Sequence, residues 1–243
     1  MLDLARACPS LRRFTYVSTA YVAGERRGIV YEDDPGGGRF RNAYERTKHE
    51  AERLVAACRE EMEVTVVRPS IVVGDHRTGW TAAFNVLYAP LRAFEAGIIP
   101  VVPARRRSPV DVVPVDYVAD AILYLLDRSE TGVFNLVAGS EAPTVDELIE
   151  LGSERFGRSR PELVEPGEPT ALADGEVYVP YFDMRVVFDD TRARELLEPA
   201  GIRAPKLRDC FDALIDYAEA TRWGKRPMTR EEARERFVPV AAA

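Results

Sequence analysis

Apolar positions along this chain alternate between two rhythms. Short β-branched or aromatic runs read as strands, and longer stretches with apolar residues three and four apart read as helices. Leu2, Leu4 and Ala5 give Met1 to Cys8 the look of a helix that Pro9 stops. Arg13-Phe14-Thr15-Tyr16-Val17-Ser18 predicts a strand, and a loop from Asp33 to Arg41 follows with Gly36, Gly37 and Gly38 at its centre. Asn42 to Cys58 predicts a helix whose apolar face is Ala51, Leu54, Val55 and Cys58. Val64 to Arg68 is apolar enough for a strand buried on both faces, with sheet pairing expected to end at Pro69 because proline has no N–H.

The same alternation continues to the end. A helix is expected over Ala82–Ala96, a strand over Val110–Pro114, a helix capped by Asp116 to about Leu126, and a strand over Val133–Val137. Thr144 with Glu147 three residues on forms a capping box for the next helix. Pro161 to Pro180 reads as a surface excursion, Val186–Phe188 as a strand, and Asp189 or Asp190 as the start of another helix. An amphipathic helix follows over Lys206–Thr221, then a charged helical tail from Thr229 with a frayed end. Strands alternating with helices at this spacing predict an α/β fold with a parallel sheet.

Composition narrows the class. The chain has 243 residues, 46% of them hydrophobic, which suits a single core with a small appendage. A net charge of −7 does not suggest nucleic-acid binding. Cys8, Cys58 and Cys210 are far apart, and His49 and His76 do not join them at metal-ligand spacing, so no metal and a reducing, cytoplasmic setting are expected. No apolar run is long enough to span a membrane.

Candidate chemistry begins at Tyr44 and Lys48. Four residues apart on a helix, they share a face, and an ammonium beside a phenol favours the ionised phenol. Such a phenol can exchange a proton with a reacting oxygen. Accident is disfavoured, because lysine occurs only at 48, 206 and 225. Ser18 and Thr19 close the first strand, where open α/β sheets bind ligands, although capping the turn explains them equally well. Trp80 and Phe84 divide evenly between an apolar substrate wall and ordinary core. The three glycines are not read as a phosphate loop, because no strand leads into them and no helix starts directly after them.

Taken in order, Ser18-Thr19-Ala20-Tyr21-Val22-Ala23-Gly24, Tyr44-x-x-x-Lys48, Arg68-Pro69-Ser70-Ile71-Val72-Val73-Gly74, Val115-Asp116-Tyr117-Val118-Ala119-Asp120 and Phe134-Asn135-Leu136 resemble the extended short-chain dehydrogenase/reductase family. The thioester reductase and fatty acyl-CoA reductase branch is the most similar. The resemblance implies the C-terminal part of a Rossmann-like, doubly wound parallel sheet, with residues 1–140 carrying sheet and catalysis. Substrate-side elements are then expected at about 75–110 and 140–225. It implies an NAD or NADP cofactor and a small-molecule substrate, an acyl thioester or related carbonyl compound, with a sugar-nucleotide or sterol epimerase/dehydrogenase as the alternative. By resemblance Tyr44 is the general acid/base and Lys48 the ribose contact. Thr19 orients the substrate oxygen, while Ser18, Pro69, Ser70, Ile71 and Val72 lie along the nicotinamide. Tyr21, Val22, Trp80 and Phe84 are expected at the substrate. The family's Gly-x-x-Gly-x-x-Gly turn is absent from the sequence. A missing N-terminal segment, an unpaired edge on the first strand, self-association and weak cofactor binding are therefore expected, with an inactive fragment as the third reading.

Overall fold

The computed structural model describes all residues except 85, 167–178 and 239–243. In chain order it runs α1 (Leu2–Arg6), β1 (Arg13–Val17), β2 (Arg27–Val30), α2 (Ala43–Ala56), β3 (Glu63–Pro69) and β4 (Ile71–Val73). Then come α3 (Tyr88–Glu95), β5 (Val101–Pro103), β6 (Val112–Pro114), α4 (Val115–Leu126), β7 (Gly132–Leu136) and α5 (Val145–Phe156). The last elements are β8 (Glu162–Val164), α6 (Val179–Phe182), β9 (Arg185–Phe188), α7 (Thr191–Leu197), α8 (Leu207–Ala220) and α9 (Arg230–Phe237).

The chain divides into two units. The first comprises Met1–Ser70, Val118–Ser140 and Val186–Arg203, and the second Ile71–Tyr117, Glu141–Arg185 and Ala204–Ala243. In the first unit β1, β3 and β7 form a parallel sheet with β3 in the middle, in register Tyr16 to Val66 and Val67 to Phe134. Val55 and Cys58 of α2 pack on Val64, Val66 and Val133, with Leu2, Phe14, Tyr16 and Met62 closing the cluster. These are the apolar positions of the predicted helix and strand meeting each other. β2 pairs with β9 beside this sheet.

Pairing does not stop at Pro69. Ser70 N–H still donates to Leu136 O at 3.2 Å, and Pro69 stands opposite Leu136. Alternate N–H groups of a strand point to opposite neighbours, so the donor that proline lacks falls on the other side of β3 from β7. The chain then passes into β4, whose partner is β6.

In the second unit β4–β6 and β5–β8 are parallel pairs accompanied by α3, α5, α8 and α9. The helix expected over Ala82–Ala96 is observed only from Tyr88. Pro90 explains this: proline is tolerated in a first turn but would clash with a helical carbonyl four residues back. Gly79 adopts φ +67° where a Cβ would lie 2.0 Å from Ala213 O, which lets the 75–80 loop pass directly over α8. The Thr144–Glu147 capping box forms, and a second, Thr229 with Glu232, opens α9. Much of the expected excursion at 161–180, and the end of the tail, lie outside the described residues. No described helix is long and apolar enough to cross a membrane.

Candidate functional site

Asn42 starts the candidate site by accepting Glu45 N–H at 2.9 Å, which fixes the first turn of α2 around Tyr44. Positions 44, 48, 52 and 55 then share one stripe of the helix. The far end of that stripe is anchored: Val55 is core, and buried Glu52 pairs with buried Arg68 of β3, whose Nε lies 3.0 Å from Glu52 Oε1. Arg68 also donates to Asp34 O at 2.9 Å, tying down the loop that precedes α2. A charged residue inside an apolar strand was a readable signal of this clamp.

The near end of the stripe overhangs the carboxyl end of β1. Lys48 Nζ donates to Val17 O at 3.0 Å and lies 5.3 Å from the centre of the Tyr16 ring. The Tyr16 phenol is pushed above its usual pKa by burial, then by the Glu52 carboxylate and Tyr44. Tyr44 itself is 52% exposed, so its phenol is open to a ligand.

Ser18 and Ser70 follow β1 and β3 at the same sheet edge. Both are buried, and neither hydroxyl has a partner among the described residues. Unmet polar groups in such a place need a reason. Thr19 differs: its Oγ1 accepts Tyr21 N–H at 3.3 Å and reaches Pro69 O at 3.3 Å, so it caps the short 3-10 turn Ala20–Ala23. Tyr21 and Val22 lie in that turn with their side chains buried, Tyr21 edge-on to Phe188 at 5.5 Å.

Two glycines of the 36–38 loop are tightly packed. A Cβ on Gly36 would meet Val22 O at 2.5 Å, and Gly37 lies against the His49 ring. His49 is held below its usual pKa, chiefly by burial.

Ile71 and Val72, both in β4, lie in the second unit, and so do Trp80 and Phe84, which lie outside β4. Trp80 Nε1 donates to Met228 O at 3.2 Å. Phe84 stacks near Tyr217 and meets Tyr88 and Trp223 at ring separations of 4.9 to 6.4 Å. Asp116 does not cap α4 from outside; it lies within the first turn, and its oxygens take His76 N–H at 2.9 Å and the His76 ring. Asp75 completes a three-residue group with them. Burial works to raise the Asp75 carboxyl, but Thr78 and Arg77 N–H, the Thr78 hydroxyl and Arg230 together hold it below its usual range.

One feature gave no sequence signal. Glu32, after β2, is buried and accepts N–H bonds from Asn135 in β7 at 2.9 Å and from Arg192 and Ala193 of α7 at 2.6 and 3.2 Å. Burial nevertheless pushes its carboxyl up to about 7, with Asp189 adding to the shift.

Parallel strands followed by the buried hydroxyls of Ser18 and Ser70, with the Tyr44-x-x-x-Lys48 helix over the carboxyl end of β1, make this an α/β protein with a candidate site at its sheet edge. More narrowly, the chain belongs to the NAD-binding male sterility protein family, whose profile matches residues 1–122. It is 19% identical to fatty acyl-CoA reductase 1 of Arabidopsis thaliana over 73% of this chain and 48% of that protein. The chain spans about half the length of the curated plant relatives it matches. Among solved structures, the terminal R domain from the myxalamid PKS-NRPS pathway is similar with a TM-score of 0.73 and 22% identity, covering 90% of this chain and 61% of that one. The UDP-glucuronic acid 4-epimerase from Bacillus cereus, solved with NAD, has a TM-score of 0.68 and 16% identity, covering 94% and 65%. At these identities the two structures establish the fold alone.

Proposed function

We propose that this chain carries the proton-transfer and nicotinamide-side part of an NAD(P)-dependent reductase acting on an acyl thioester or related carbonyl compound. The observation that carries the reading is the sheet edge where Lys48, held on Val17 O, stands with the orphaned Ser18 and Ser70 hydroxyls. These groups fit a nicotinamide ribose and carboxamide: one multivalent ammonium donor and two hydroxyls that can donate or accept. When bound, the nicotinamide supplies the hydride. Tyr44 gives its phenolic proton to the carbonyl oxygen as charge builds there, and Lys48 stabilises the phenolate left behind. Thr19, already committed to its turn, acts by shaping the edge. Trp80 and Phe84 remain the proposed apolar contacts for the substrate.

Nothing in the sequence fits the pyrophosphate, which in this fold sits on a glycine-rich turn and a helix N-terminus. On this reading further strands supply that part, one of them pairing with β1, whose other side has no partner strand among the described residues, and the glycine-rich turn following a strand farther in. The likeness to an epimerase rests on fold and does not favour sugar-nucleotide chemistry over reduction.

Turnover of an acyl thioester by a longer form of the protein, monitored by NADPH oxidation, tests the reading. Tyr44→Phe should lower the rate about 10²–10⁴-fold with an unchanged melting temperature. A rate equal to the parent's would remove Tyr44 from the mechanism. NADPH titration of this chain alone, followed by nicotinamide fluorescence, tests the proposed division of the cofactor site: tight saturable binding would refute it.

A further inference from the structure

We propose that Tyr16 is a positioning residue: the face of its ring, near the carboxyl end of β1, holds the Lys48 ammonium in place for the proton transfer at Tyr44. The inference rests on the reductase reading for its chemistry but not for its spectroscopic test. Side chains on a strand alternate between faces, and in β1 Phe14 and Tyr16 share the face that packs against Val55, Val64 and Val66. Tyr16 is the last residue of that face before β1 ends. Its ring is fixed by the cluster, and Lys48 Nζ lies over it, 5.3 Å from the centroid. A cation within about 6 Å of a ring centroid is drawn to the negative face of the ring.

The surroundings of Lys48 explain why an aromatic face suits this position. A lysine on a long flexible stem must be held against its own rotamer freedom, and its bond to Val17 O occupies one of three N–H donors. Carboxylates three or four residues away are the usual partners of a helical lysine. Here both are committed elsewhere: Glu45 accepts Arg41 N–H at 3.0 Å, and Glu52 takes Arg68 Nε at 3.0 Å. A carboxylate on Lys48 would neutralise the charge that the Tyr44 phenolate needs. The Tyr16 ring attracts that charge and leaves it whole. Burial first, then Glu52 and Tyr44, hold the Tyr16 phenol above its usual pKa, so the ring stays a neutral platform.

Lysine occurs only at 48, 206 and 225, so the chain made with lysine carrying ¹³C at the ε carbon gives three ε-methylene signals, and Lys48→Met assigns the first. The Lys48 signal should lie upfield of the other two through the ring current of Tyr16. Tyr16→Phe should keep that shift, and Tyr16→Leu, apolar enough for the same cluster, should lose it. A Lys48 signal that coincides with those of Lys206 and Lys225 in the parent chain, or one that keeps its shift in a folded Tyr16→Leu, would overturn the inference. In a longer form that turns over an acyl thioester with NADPH, Tyr16→Leu should lower kcat about two- to fivefold, with most of the rate restored in Tyr16→Phe. On a Lys48→Met background Tyr16→Leu should change nothing further. Parent-level kcat in Tyr16→Leu would end the positioning role and spare the reductase reading. The expected shifts without any thioester turnover would sink the reductase reading and leave the hold of Tyr16 on Lys48 standing.

Discussion

β1 and β3 are neighbours in one sheet, with similar sequences and opposite surroundings. β3 has a partner on each side, and Val66 and Val67 are completely buried. Among the described residues β1 pairs with β3 only, and Val17 is 43% exposed. Apolar side chains on nearby elements of the same unit are uncovered too: Leu4 on α1, Leu54 on α2, and Leu123 and Leu126 on α4. α4 is tied to β1 by Arg13, which donates to Leu125 O at 3.0 Å. Scattered exposed leucines need no explanation, but an unpaired strand edge with uncovered leucines on α4, the helix tied to it, is what a sheet shows where another strand would pack. The candidate chemistry sits at the carboxyl ends of these two strands, so one wall of the site is rigid and the other is incomplete.

The largest expected effect is at the rigid wall. Arg68→Ala should destabilise the first unit by about 3–5 kcal/mol, because it leaves the Glu52 carboxylate buried without its partner. Removing both charges, as in Arg68→Met with Glu52→Leu, should cost much less. Denaturant melts of the three variants decide the matter, and equal losses would show that the pair matters through shape alone.

Next in size is a pH effect at Glu32, which joins β2 to β7 and α7. Its carboxyl titrates near 7 in the fold and near 4.5 when unfolded. Below the lower value both states are protonated. Between the two, the fold keeps a proton that the unfolded chain releases, so stability falls as pH rises through this window. The full loss above pH 7 is about 3 kcal/mol at most. Glu32→Gln should flatten this part of the stability-pH curve, and a parallel curve would assign the slope to other groups.

Much of this was legible in the sequence, and the misses have physical causes. β1, α2, β3, β7, α5 and α8 follow from apolar periodicity and caps, because burial imposes those patterns directly. The Tyr44–Lys48 stripe was readable from helical spacing. β2, β5 and β8 were missed, since strands of three or four residues carry too few positions to show a period. Pro90 signalled the late start of α3 and outweighs the apolar pattern before it. Asp116 looked like a cap but binds His76, a contact 40 residues away that no local rule contains. Glu32 is of the same kind, with partners 103 to 161 residues away.

The smallest expected effect probes the comparison most directly. Threonine matches valine in shape but brings a hydroxyl, which costs about 1–3 kcal/mol where it is buried without a partner. Val67→Thr should therefore be clearly destabilising, while Val17→Thr should stay within about 0.5 kcal/mol, as surface changes usually do. The contrast depends on β1 being uncovered in solution. If a second copy or another segment packs on that edge, Val17→Thr acquires a cost of its own, and the cost grows with protein concentration when the cover is another copy. Parallel melts at two concentrations separate these cases. An unchanged, concentration-independent Val17→Thr leaves the edge open for the strand that the cofactor site requires. A cost equal to that of Val67→Thr at every concentration would mean that the chain already covers the edge, and the proposed pairing of a further unit with β1 would fail.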